Sequence, residues 1–408
     1  MRILSVAKAA LYAIFLNYYC YYVISGSFIP GGTVLFLGIA GLCVGTDILQ
    51  KRYIHVGVEM RCWIVYAVLS FLTTSCILID SGDLDYISDL IKFVQRLMII
   101  GMVAYICERE GSARFGLQLM AVTAVALAIS VVAVTGDINR KLDITTGANL
   151  SANDTGAIMA FGCFAIIFAW GRRGASSLVL SSLKTAGVIC CIVVIFLAGS
   201  RKSIGAVAVM LGLLLVLCLR DYGSKVNMRK FFTVMLVGAA AYLVITKYLL
   251  QYAEQTNLYE RILGDGVEAA SESDQTRINY YIWAFEHFMD HPVAGIGFNM
   301  FKEYHGNYTH STYAEPLACS GLIGLLYLYP YYSIVKKQIY LIRINKKDSY
   351  ARLKQKEIFV YLCMALFVAV GIPYMYKDAP CILLGTFVAS QSISFQELRR
   401  NGATSADY

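Results

Sequence analysis

Residues 185–219 read "TAGVICCIVVIFLAGSRKSIGAVAVMLGLLLVLCL" and decide the fold. Two apolar runs flank a turn of a few residues around Arg201 and Lys202. Each run approaches the roughly 20 residues that a helix needs to cross a bilayer. So short a link between two such runs reads as a transmembrane hairpin, because backbone inside lipid must satisfy its own hydrogen bonds.

The rest of the chain has the same character. Of its 408 residues 58% are hydrophobic and 15% charged, and the mean hydropathy is +0.60; soluble domains carry about 25% charge. The expected fold class is all-α, a polytopic transmembrane helical bundle of about twelve spans with one large outward-facing loop containing an amphipathic helix. The spans are expected at 7–28, 31–50, 62–79, 86–107, 117–136, 155–171, 185–200, 204–219, 231–249, 313–335, 358–376 and 381–395. The first has no small-residue cleavage site and reads as a span rather than a signal peptide. The fourth carries Lys92 and Arg96, four apart and so on one helical face.

Cytoplasmic loops accumulate Lys and Arg. Stretches such as "KRYIHVGVEMR", "RRGASSLVLSSLK" and "KKQIYLIRINKKDSYARLKQKE" therefore fall inside, and both termini are expected in the cytoplasm. The net charge of +8 is then a topology signal, and nucleic acid is not an expected partner. The twelve cysteines lie in or beside the expected spans with no metal or disulfide spacing. They read as small helix-packing residues. No internal repeat is visible, so residues 1–408 read as one integral membrane domain, with 250–312 as the outward-facing loop within it.

That loop holds four of the five histidines: His287, His291, His305 and His310. It opens on "GDGVEAASESDQT", expected to be a flexible surface segment. In "TRINYYIWAFEHFMDHP" the residues Ile278, Ile282, Phe285 and Met289 recur at helical spacing, giving a face for either the membrane surface or the bundle. Pro292 and the glycines of "AGIGF" end the helix. Downstream, "HSTYAEPLACSGLIG" (310–324) places His310 at the outer lip of the tenth span. Continuous helical geometry from residue 310 sets Gly321 about 20 degrees and Gly324 about 40 degrees from His310 in projection. Together with Ala314 they form a small-residue stripe along which another backbone can approach. Glu315 falls well round the helix, as a polar contact near Pro316.

Cations on the outer side oppose the topology rule and ask for a reason. Arg201 and Lys202 either snorkel to headgroup phosphates or form an anion site, since an Arg fork matches phosphate oxygens. Arg277 lies beside the apolar face of the loop helix. Lys92 and Arg96 are site candidates as intramembrane charges, or interfacial residues if the fourth span begins later. His287 and His291 have a spacing that suits two metal ligands, but no HExxH is present and no metal or other cofactor is expected.

These residues resemble the bacterial O-antigen ligases and the related O-antigen and capsule polymerases. The likeness spans about residues 150–330. His310 and Ser311, then nine residues, Gly321, two residues and Gly324 look like the ligase signature. "GSRKS" resembles the outward arginine turn, "RINYYIWAFEHFMDHPVAGIGFNMF" the arginine-bearing loop helix, and "GANLSANDTGAIMAF" an upstream entry to a span. The resemblance implies a metal-independent glycosyltransferase at the outer face of the bacterial cytoplasmic membrane. Its donor would be a glycan on undecaprenyl pyrophosphate, and its acceptor a sugar hydroxyl. Membrane lipid and a chain-length regulator are the further partners expected. A histidine with a reference pKa near 6.5 suits removal of a hydroxyl proton, and fixed cations stabilise a departing pyrophosphate. His310 is thus expected as general base or as the group that orients the acceptor, Arg201 and Arg277 as pyrophosphate clamps, and Lys202, Lys92 and Arg96 as substrate-binding. The favoured reading is a polymerase of lipid-linked repeats. Its alternatives are a ligase to lipid A core and, in a different class, a transporter or flippase of the same lipids.

Overall fold

The computed structural model describes residues 2–21, 57–78, 85–135, 152–169, 178–198, 200–221, 266–345 and 348–400, with isolated positions between 38 and 46. Among these residues the fold is all-α. Helix α1 is Arg2–Leu16, running into a π-turn at Asn17–Tyr21; α2 is Val58–Ile77, α3 Asp85–Glu110, α4 Arg114–Thr135, α5 Ala152–Phe168, α6 Leu178–Leu197 and α7 Arg201–Asp221. The later helices are α8 (Gly266–Asp290), α9 (Met300–His305), α10 (Ala314–Ser320), α11 (Gly324–Ile344), α12 (Ser349–Ala369) and α13 (Ala379–Arg400).

The protein is a multi-pass helical membrane protein, but the expectation of about twelve spans is corrected. Five helices among the described residues are long and apolar enough to cross a membrane: Val58–Ile77, Tyr86–Glu110, Arg114–Val131, Val179–Phe196 and Ala314–Ile344. Asn153–Phe168 and Lys202–Leu214 are apolar but shorter. The last two expected spans fail on composition. Helix α12 opens with "SYARLKQKE" and α13 closes with "SQSISFQELRR", which leaves each a short apolar stretch. The expected spans 231–249 and, almost entirely, 31–50 lie outside the described residues.

Polar contacts at the helix ends fix antiparallel neighbours. Lys8, midway along α1, pairs with Glu110 at the end of α3. Glu59, at the start of α2 and 2% exposed, accepts Ser333 Oγ of α11 at 2.6 Å and pairs with Lys337. A buried carboxylate persists only when so partnered. Between these ends one continuous core holds Trp63, Tyr66, Phe93, Phe161, Phe164, Tyr361 and Phe387. Helix α12 begins on a capping Asp348, whose carboxylate accepts the amides of Tyr350 and Ala351 at 2.9 and 3.0 Å, satisfying orphan donors of its first turn.

The acidic stretch expected as a flexible loop is helical from Gly266 onward. Its Ala and Glu residues favour helix, and no proline interrupts it before Pro292. Residues 250–265 lie outside the described residues. The face of Ile278, Ile282, Phe285 and Met289 is 48–63% exposed, so it does not pack on the bundle. The opposite face does: Ala284, with Tyr280 and Trp283, packs on Ile296, Phe301, Ala318 and Cys319.

Candidate active site

The expected stripe running down one helix from His310 is not formed. Residues 310–313 are not helical, α10 begins at Ala314, and His310 itself has a left-handed backbone with φ 59. Gly321 ends α10 at φ 57 and ψ −138, a region essentially reserved for glycine. The break releases the carbonyls of Ala318 and Cys319, which accept the amides of Ile296 and Gly297 at 3.2 and 2.9 Å. Leu322 N–H in turn donates to Pro292 O at 2.8 Å. A Cβ at Gly321 would stand 2.5 Å from that same oxygen. The glycine therefore serves close approach, as the stripe reading anticipated, but its partner is the turn that ends α8. Gly324 likewise lies against the backbone of Pro316 and Leu317.

His310 is held from both sides in sequence. Glu315, fully buried, accepts Thr309 N–H at 2.7 Å and Tyr376 O–H at 3.0 Å. Thr312 N–H donates to Ala369 O at 2.9 Å, its hydroxyl donates to Ile372 O at 2.5 Å, and Tyr374 N–H donates back to that hydroxyl at 3.0 Å. The imidazole lies 4.8 Å from the Tyr308 ring, edge to face, and 5.9 Å from the Tyr280 ring.

The segment between α12 and α13 is the hub of this end of the bundle. Tyr281 O–H from α8 donates to Val370 O at 3.0 Å, and Lys202 Nζ from α7 donates to Gly371 O at 3.0 Å. Lys377 Nζ pairs with Asp154 of α5 at 2.7 Å and stands 5.5 Å over the Tyr308 ring. Asp378 pairs with Arg96 Nε of α3 at 2.8 Å. Beside Asp154, Asn153 Oδ1 accepts Ser200 O–H at 3.4 Å, and the hydroxyls of Ser200 and Ser203 lie 2.8 Å apart. Helix α5 thereby seats on the turn that begins α7.

Charge collects around the imidazole. Burial, then the cations Lys202, Arg277 and Lys377, pull the His310 pKa down to about 4, so the ring is neutral near pH 7 and presents a lone pair. Burial also pulls on the Lys377 ammonium, but Asp154 and Tyr308 outweigh it and raise its pKa. The arrangement can accept a proton at one nitrogen and hold an anion among the cations.

The structure thus brings Lys202 and Arg277 within electrostatic reach of His310. Arg201 opens α7 beside Lys202; its side chain lies outside the described residues. Lys92 and Arg96 are not brought to His310. Lys92 pairs with Asp89 at 2.7 Å on an exposed surface, and Arg96 braces Asp378 and Met375 O. His287 Nε2 bonds His305 Nε2 at 2.8 Å rather than pairing with His291. Among the described residues no group of three or more His, Cys, Asp or Glu side chains could hold a metal ion. Lys377, Asp154 and Tyr308 escaped the sequence reading. The available signal for Lys377 was the one used for Arg201, a cation at the end of an apolar run expected to face outward.

No curated protein matches the chain. Residues 186–329, which carry Arg201, Lys202, Arg277, His310, Gly321 and Gly324, match a protein-family model, that of the O-antigen ligases.

Proposed function

We propose that the protein transfers a glycan from undecaprenyl pyrophosphate to a sugar hydroxyl at the outer face of the cytoplasmic membrane, with residues 250–312 facing outward. The observation that carries this reading is the neutral His310, held in a left-handed turn among Lys202, Arg277 and Lys377. His310 accepts the proton of the acceptor hydroxyl. The acceptor oxygen bonds to the anomeric carbon as the bond from that carbon to the pyrophosphate oxygen breaks, and the electron pair leaves with the lipid pyrophosphate. Arg277, Lys202 and Arg201 stabilise that departing charge, a task fixed cations perform without reorganisation. An anion bound among the cations also raises the His310 pKa from its low resting value, which strengthens it as a base when the donor is present.

The family match is described by ligase activity, which favours lipid A core as acceptor over the lipid-linked repeat that the sequence reading preferred. The deciding experiment offers both acceptors to the purified protein with a lipid-linked glycan donor, with and without a chelator. A single transfer to lipid A core supports the ligase, whereas a ladder of lengths on the lipid-linked acceptor supports the polymerase. Transport of the lipid without any transfer, or transfer at full rate by His310→Ala, sinks the reading.

A further inference from the structure

We propose that Lys377 is an additional donor-binding cation of this site, held in place by Asp154. This rests on the donor reading above and extends it to a residue that lies, like Asp154, outside the matched segment 186–329.

The ammonium is not a surface charge free to wander: the Lys377 side chain is 17% exposed and that of Asp154 9%. Its backbone is pinned on both sides, by Tyr376 O–H on Glu315 and by Asp378 on Arg96. It stands over the Tyr308 ring, which in turn packs edge-on against His310. Its charge reaches the imidazole together with those of Lys202 and Arg277. A sugar pyrophosphate carries two phosphate groups, and a lysine is a point charge suited to the oxygens that an arginine fork leaves uncovered. Asp154 has a plain role in this arrangement. It neutralises the largely desolvated ammonium while the site is unliganded, and it competes with phosphate for the same donor.

The competing explanation is a structural brace tying α5 to the 372–378 segment, and the two differ in what they require of Asp154. Full-length protein in lipid nanodiscs is titrated with inorganic pyrophosphate, and binding is followed by calorimetry and by the ring signals of labelled histidine. Lys377→Gln should weaken binding about tenfold, the loss of one charge-assisted hydrogen bond. Lys377→Arg should stay close to the parent protein, and Asp154→Asn should bind as tightly as the parent or tighter. Parent-like binding by Lys377→Gln alongside weakened binding by Arg277→Gln overturns this inference and leaves the donor reading standing. Unchanged binding in Arg277→Gln, Lys202→Gln and Lys377→Gln together overturns the donor reading itself. Asp154→Asn losing as much affinity as Lys377→Gln marks the pair as a brace. If Lys377→Gln does not fold, the double variant D154N/K377Q retains a neutral hydrogen-bonding pair there, and it should show the same tenfold loss.

Discussion

The carboxylate of Glu315 accepts the backbone N–H of Thr309 at 2.7 Å, one residue before His310, and its other oxygen accepts Tyr376 O–H, one residue before Lys377. A single buried side chain thus sets the position of the imidazole and of the segment bearing Lys377 together. Glu315→Ala leaves the Thr309 amide without an acceptor, a loss of about 1–3 kcal/mol of stability. Glu315→Gln keeps an oxygen for Thr309 and costs less. Transfer activity should collapse in the alanine variant and survive in part in the glutamine variant. Thermal unfolding in detergent, run beside the activity assay, gives both readings; equal activity in the two variants would count against the positioning role.

The pH response follows from His310. Its folded-state pKa is pulled down to about 4, below its ordinary value near 6.5. Between these values the unfolded chain binds more protons than the folded one, so the contribution to stability is fully present above about pH 6.5 and is lost as pH falls toward 4. In labelled protein the His310 ring should remain neutral until about pH 4. Arg277→Gln and Lys377→Gln should each move the titration upward, toward the ordinary value, because each removes a repelling charge. A titration unmoved by either substitution would place those cations too far away to matter.

Gly321→Ala tests the junction between the loop helix and the membrane helix. The backbone there has φ 57 and ψ −138, and an added Cβ would collide with Pro292 O. Strain at such a position costs about 1–3 kcal/mol before the collision is added. The expected outcome is a lowered unfolding temperature and faster proteolysis around Pro292–Gly297, with transfer falling because α8 carries Arg277. A variant that protects the 292–297 turn as the parent does would show that the glycine is not needed for docking.

The helical class, the gathering of Lys202 and Arg277 near His310 and the close approach at Gly321 were legible because each leaves a local mark: an apolar run, a misplaced cation, a glycine at a fixed distance from a histidine. The left-handed turn at His310 left none, since a histidine in that conformation looks like any other. Periodicity therefore extended the helix four residues too far. The hub at residues 369–378 was invisible for a different reason. Its carbonyls gather Tyr281, Lys202 and Thr312, and main-chain acceptors carry no sequence signature. The last two expected spans failed because α12 and α13 pair half-apolar sequences with polar ends, and several of their polar side chains are buried against neighbouring helices, as Gln355 and Gln391 are.

Lys92 and Arg96 share a helix face in sequence but differ in their surroundings, and that difference predicts opposite outcomes. The Lys92 side chain is 52% exposed beside Asp89, and exposed pairs contribute about 0–1 kcal/mol. The Arg96 side chain is 12% exposed and holds Asp378 at 2.8 Å, with a second bond to Met375 O at 3.3 Å. Removing one partner of a buried pair strands the other, at about 3–5 kcal/mol. Lys92→Ala should therefore fold and transfer as the parent does. Arg96→Ala should unfold at lower temperature and lose activity, because the segment bearing Lys377 and Tyr376 is no longer braced. Arg96→Ala/Asp378→Ala removes both charges and should recover much of the lost stability. If the double variant is no more stable than Arg96→Ala, the pair is not the brace that the geometry describes.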